Sequence, residues 1–224
     1  MRKGLTEVVF ILDRSGSMRG LETETIGGFN SMIEKQKKEE GEAMISTILF
    51  DNESEVLYDR LSIDKVEPMT DKQYFVRGCT ALLDAVGGAI HHIGSIHKKA
   101  DPDDVPEKTL FIITTDGMEN ASHKYDYKKV KKMIEKKKEK NNWEFIFLGA
   151  NIDAVSVAGR FGIAESRAVR YECDTVGTAL NFKVMDKMVS AARRSKSAKE
   201  MTEAFEGCDM LLDIKEDYEK RHKG

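Results

Sequence analysis

Apolar and polar positions follow two different periods along this chain, and the switches between them outline its elements. Val8-Val9-Phe10-Ile11-Leu12 is too short for a helix and rich in residues that favour a buried strand. It ends in Asp13-Arg14-Ser15-Gly16-Ser17, where a carboxylate and two hydroxyls occupy alternate positions. The period then lengthens: Leu21, Thr25, Phe29 and Ile33 recur at steps of four, followed by Gln36, which predicts a helix stopped near Gly41. Within it, Gly27-Gly28 are expected where the helix packs closely against a sheet. Met44 to Phe50 and Glu55 to Tyr58 read as strands joined by Asp51-Asn52-Glu53, and so short a hairpin makes them an antiparallel pair at one edge.

Residues 59–78 read as a crossover loop with a helical turn near Asp71 to Phe75. Thr80 opens a helix with an apolar stripe through Leu82, Val86, Ala89, Ile90, Ile93 and Ile96, broken at Asp101 to Pro106. Leu110 to Ile113 is a strand running into Thr114-Thr115-Asp116-Gly117. A lysine-rich helix over about 125–140 follows, then a strand from Trp143 to Leu148, a short helix over 154–161, a weak strand over 168–173 and a long helix over about 178–194. A last amphipathic stretch, 198–218, carries Met201, Phe205, Leu211 and Leu212. Alternation of this kind specifies an α/β fold: a doubly wound, mostly parallel sheet of six strands with helices on both faces.

The length of 224 residues suits one sizeable core, here residues 1–197, with 198–224 as a C-terminal helical extension. A net charge of −3 exerts no global pull toward nucleic acid or anionic membrane. Three scattered cysteines, Cys79, Cys173 and Cys208, fit a reducing compartment. The first residues show no signal peptide, and no apolar run approaches the ~20 residues of a membrane span. These features lead to the expectation of a soluble cytoplasmic protein.

In an open α/β sheet ligands bind beyond the carboxyl ends of the strands. Asp13, Ser15 and Ser17 follow the first strand, Asp116 follows the fourth, and Thr80 stands at a loop-to-helix junction. If the first and fourth strands are parallel neighbours, two carboxylates and three hydroxyls converge above one end of the sheet. Such a set offers only hard oxygens, the donor type for a Mg²⁺-like ion, with Mn²⁺ and Ca²⁺ as alternatives. Thr80 also serves as a helix N-cap in this reading.

On these residues the chain resembles the von Willebrand factor type A domains, over roughly residues 5–194. Their metal-ion-dependent adhesion site is written DxSxS, then a threonine, then an aspartate. Here the matching residues are Asp13, Ser15 and Ser17, Thr80 within Gly78-Cys79-Thr80-Ala81-Leu82, and Asp116. The run Asp116-Gly117-Met118-Glu119-Asn120-Ala121-Ser122 looks most like intracellular bacterial members. The resemblance implies strand order 3-2-1-4-5-6. It also implies direct or nearly direct metal contact by the hydroxyls and water-mediated contact by the aspartates. Neutral hydroxyls leave a dipositive ion with an unsatisfied appetite for an anionic oxygen, so an Asp or Glu of a partner protein would complete the coordination. The resulting expectation is a non-enzymatic, metal-dependent protein-binding module with Arg14, Met18, Met118 and Glu119, and also Arg19 and Asn120, forming a contact rim.

Two other functions compete. A Mg²⁺-dependent phosphoryl-transfer enzyme of the haloacid-dehalogenase type places an Asp after its first strand, but needs a second acid where this chain has Ser15, and no P-loop is present. Nucleic-acid binding through the lysine-rich helix is weighed against interspersed Glu135 and Glu139 and the Val130, Met133, Ile134 stripe, which fit a solvated amphipathic helix better. His91, His92 and His97 lie on one helix without forming a metal set, since residues six apart do not share a face.

Overall fold

The computed structural model describes residues 1–223. Six strands, β1 (Arg2–Asp13), β2 (Ala43–Phe50), β3 (Ser54–Ser62), β4 (Pro106–Thr115), β5 (Glu144–Ala150) and β6 (Ala168–Tyr171), form one sheet in the order 3-2-1-4-5-6. All neighbours are parallel except β2 and β3, the antiparallel edge pair anticipated from the short hairpin. The helices are α1 (Glu22–Gln36), α2 (Leu82–Lys99), α3 (Tyr127–Asn141), α4 (Ala154–Arg160), α5 (Thr175–Arg194), α6 (Ala198–Gly207) and α7 (Leu212–His222).

The alternation of side chains along β1 separates two hydrophobic layers. Val8, Phe10 and Leu12 face a layer with residues of α1, α5, α6 and α7, including Phe29, Met185, Phe205 and Ile214. Val9 and Ile11 face the other layer, with α2, α3 and α4 contributing residues such as Val86, Ile90, Ile134 and Ala158. The central strands therefore read as unbroken apolar runs because both of their faces are covered.

Several elements differ from the periodic reading. β3 extends to Ser62 through a register shift near Arg60, whose φ of 49° marks the irregularity. The stretch 198–218 is two helices, interrupted at Cys208 to Leu211, rather than one. The helical turn read near Asp71 is present as a single turn, Tyr74 N–H donating to Thr70 O. Gly28 meets a helix and not the sheet: a Cβ there would lie 2.3 Å from Phe182 of α5, whereas one at Gly27 would meet nothing within 4 Å. Two of the three histidines of α2 serve separate acids, His92 against Asp59 and His97 against buried Glu7. Among the described residues, no helix is long and apolar enough to cross a membrane.

Candidate metal centre

Parallel pairing of β1 with β4, with Leu12 opposite Thr114, brings the two strand ends side by side. Thr115 Oγ1 donates to Asp13 Oδ2 at 2.6 Å, and the backbone N–H of Ser15 donates to Asp13 Oδ1 at 2.7 Å. The two hydroxyls of the first loop lie 3.0 Å apart, and Thr80 Oγ1 donates to Ser15 Oγ at 3.0 Å. Ser17 Oγ donates to Asp116 Oδ1. The five side chains read from the sequence thus gather in an open ring of oxygens over the sheet's carboxyl end, Thr80, Ser15, Ser17 and Asp116 linked in series and Asp13 tied in through the Ser15 N–H and Thr115. Gly117 borders it so closely that a Cβ would stand 3.0 Å from Thr80 Oγ1 and 3.2 Å from Ser17 Oγ.

Asp13 is 2% exposed and Asp116 1%, and neither forms an ion pair among the described residues. Burial raises the Asp13 carboxyl to about 6, although the hydrogen bonds from Ser15 and Thr115 oppose it. Burial also raises Asp116, against the hydrogen bonds it accepts from Ser17 and Cys173. Two buried carboxylates without a basic side chain, ringed by three hydroxyls, form a donor set that fits a hard divalent cation.

The loop is held from outside. Tyr74 Oη donates to Asp13 O at 2.6 Å, Arg14 N–H to Phe50 O, Arg77 N–H to Arg14 O, and Gly16 N–H to Gly78 O. Gly78 has a φ of +66°, and a Cβ there would fall 1.9 Å from Asn52 Oδ1, which itself accepts from the Cys79 N–H. Asn120 and Thr80 exchange two hydrogen bonds, Thr80 N–H to Asn120 Oδ1 and Asn120 N–H to Thr80 O.

The anticipated rim is largely corrected. Arg14 is fully buried, paired with Asp51 at 2.9 Å and Glu55 at 2.8 Å, so it braces the loop instead of facing a partner. Met18 is buried at 5% exposure and belongs to the interior. The Glu119 carboxylate accepts from the Leu83, Ala121 and Ser122 N–H groups and the Ser122 hydroxyl, capping the start of α2. That start has Ala81, not Thr80, at the N-cap. Met118 alone of these four stands out, 72% exposed; Arg19 and Asn120 are exposed as well.

Residues not singled out from the sequence complete the site: Thr115, Tyr74 and Cys173. Cys173 Sγ lies 3.4 Å from Asp116 Oδ2, and burial together with the Asp116 charge pushes its thiol up to about 12. Thr115 precedes Asp116 and was readable as its strand neighbour; nothing in the local pattern marks Tyr74 or Cys173.

No family model matches the sequence, and no curated protein does. Solved structures do match. Proximal thread matrix protein 1 from the mussel byssus, with zinc occupying its MIDAS motif, is similar with a TM-score of 0.57 at 15% identity, covering 84% of this chain and 46% of that one. A von Willebrand factor type A structure from Catenulispora acidiphila is similar with a TM-score of 0.54 at 16% identity, covering 83% of this chain and 42% of that one. The present chain thus spans less than half the length of either. At such identities the likeness speaks for architecture alone, and it agrees with the strand order and layers above: the chain has the α/β fold of von Willebrand factor type A domains.

Proposed function

We propose that this chain is a non-enzymatic, divalent-metal-dependent protein-binding module in which Asp13, Ser15, Ser17, Thr80 and Asp116 hold a Mg²⁺-type ion. The observation that carries the reading is the convergence of those side chains from three separate segments: Thr80, Ser15, Ser17 and Asp116 are joined by side-chain hydrogen bonds, and Asp13 is tied to them through the Ser15 N–H and Thr115. The zinc at the MIDAS motif of the mussel protein supports a divalent ion at the corresponding place in this fold. A bound dication would supply an electrophilic centre for an anionic oxygen, and an Asp or Glu of a partner protein is the group that suits it.

The protein's own residues prepare that role. Neutral hydroxyls contribute oxygen without cancelling charge, while Thr115 and the Ser15 N–H fix the Asp13 carboxylate in one orientation. Asn120 fixes the backbone that presents Thr80.

Isothermal titration with MnCl₂ tests the metal, and retention of partner proteins on the immobilised chain tests its use. The wild type is expected to bind one ion and to hold a partner in Mg²⁺ that EDTA releases. Asp13→Ala and Thr80→Ala should lose both while keeping their circular dichroism. Retention that persists unchanged in EDTA would overturn the proposal.

A further inference from the structure

Helix α3 carries eight lysines against two glutamates in a chain whose net charge is −3. The structure divides those lysines into two sets. Four have partners: Lys129 over the Tyr125 ring, Lys131 with Glu135 on the same helix, Lys137 over the Trp143 ring and Lys138 with Gly162 O. The other four, Lys128, Lys132, Lys136 and Lys140, are all exposed, and among the described residues none has a hydrogen-bonded, ionic or aromatic partner. They recur at a constant step of four, so they form one ladder with ~6 Å between rungs, ~18 Å in all.

Local stability does not account for this ladder. Like charges four apart repel, and Lys128 in a first turn that holds no acid opposes the helix dipole. The field is reinforced from α2. Between the two helices lies a groove of about 230 Å³ lined by His91, Ser95, Lys98, Lys136, Lys137 and Asn141 among others, with no carboxylate in its wall. Burial and the neighbouring Lys136 charge lower the Lys137 ammonium, which an anion in the groove would relieve. Glu139 is the one exposed carboxylate left on α3, and it makes no ion pair.

We propose that the Lys128–Lys132–Lys136–Lys140 ladder and the adjoining Lys98 groove bind the phosphate backbone of a nucleic-acid duplex, independently of the metal centre. A linear array of point charges complements a linear polyanion, and one strand of duplex DNA offers about one charge per 3.4 Å of axis, so the ladder spans roughly five phosphates on each strand. Unpaired bases are disfavoured because the large aromatic rings beside the groove are not free to stack: Trp143 is 3% exposed and the Tyr125 ring is covered by Lys129. A membrane surface is disfavoured because no large apolar side chain is exposed on α2 or α3. Binding through phosphates alone carries no sequence preference.

The test is fluorescence anisotropy of a labelled 20-base-pair duplex, as DNA and as RNA, against the full chain in EDTA over 20 to 200 mM KCl. EDTA removes any contribution of the metal centre, so this result and the metal proposal stand or fall separately. With four to six phosphates neutralised, the slope of log K against log[KCl] is expected between about −3.5 and −5.5. Neutralising the ladder (Lys128→Gln, Lys132→Gln, Lys136→Gln and Lys140→Gln together) should weaken binding at least tenfold and flatten the slope. It should leave the melting temperature unchanged or higher, since it removes only repulsion. A control with Lys215→Gln and Lys220→Gln, both paired in the native chain, should bind like the wild type. The inference is overturned if the wild type fails to bind at 20 mM KCl, or if ladder and control variants behave alike. It is equally overturned if a 20-residue polyglutamate or phosphatidylserine vesicles compete better than unlabelled duplex.

Discussion

Replacing Asp13 with asparagine separates what the metal loop costs the fold from what it does for binding. Burial lifts the Asp13 carboxyl from an ordinary 3.8 to about 6. With the folded value above the unfolded one, the folded chain keeps a proton that the unfolded chain has already released. The associated stability is therefore fully present below about pH 4 and lost as pH climbs toward 6. The difference between the two values corresponds to ~3 kcal/mol carried against folding at pH 7 in the metal-free protein. Asparagine removes that cost without disturbing the neighbours. Its Oδ1 still accepts from the Ser15 N–H, and its Nδ2 donates to Thr115 Oγ1, whose proton turns to Gly117 O at 3.2 Å.

In EDTA at pH 7, Asp13→Asn should thus be more stable than the wild type by ~3 kcal/mol, a rise of about 6–12 °C in Tm for a chain of this size. The gap should narrow as the pH falls to 4.5. With Mg²⁺ at a hundredfold excess over its Kd the wild type should gain ~2.7 kcal/mol and the variant nothing. Urea denaturation followed by circular dichroism, at the two pH values with and without Mg²⁺, measures all of these. If the asparagine variant is no more stable than the wild type in EDTA at pH 7, the buried carboxylate is not penalised and the case for a compensating cation loses its energetic half.

Two further outcomes follow from contacts outside the ring. Tyr74→Phe deletes the hydroxyl that donates to Asp13 O and leaves that buried carbonyl short of a partner; it should cost ~1–3 kcal/mol in urea denaturation and weaken Mn²⁺ binding in a titration. Gly28→Val drives a side chain into the Phe182 ring, 2.3 Å from its would-be Cβ, and should cost ~1–3 kcal/mol. Adding Phe182→Ala should recover part of that loss in a double-mutant cycle, and purely additive losses would place the clash elsewhere.

The sheet was legible because its signals are local. The apolar runs of β1, β4 and β5 are continuous where both faces are covered, and the three-residue link between β2 and β3 leaves only an antiparallel pairing. The convergence of Asp13, Ser15, Ser17, Thr80 and Asp116 was legible too, since strand ends that share one edge must share one neighbourhood. What escaped was the direction of the residues between them. Arg14 alternates with Asp13 and Ser15, so when those two point into the ring it points away, into a wall made by Asp51, Glu55 and the Phe75 ring. That wall comes from two distant segments, and no spacing within the first loop announces it. Glu119 looked free for the same reason: it accepts from the Leu83 N–H, a donor left over by the start of α2, which has no side-chain cap of its own.

The segment between β3 and α2 explains why the ring has this shape in the protein chain itself. Tyr74 lies in the layer shared with α1 and α5, and Leu82 in the layer shared with α2 and α3. The residues between them must therefore cross the carboxyl edge of the sheet, and they cross it at the end of β1. In passing, Tyr74, Arg77 and Gly78 each form a hydrogen bond with the Asp13–Gly16 backbone, and the chain then delivers Thr80 to Ser15. The crossover that winds the sheet on both faces is thus also the strap that positions the oxygens. Ordering of the loop is supplied by folding, so an incoming cation has little chain entropy left to oppose it. The strain that remains is electrostatic, the charge of Asp13 held away from water, and it is strain of the one kind that a cation relieves.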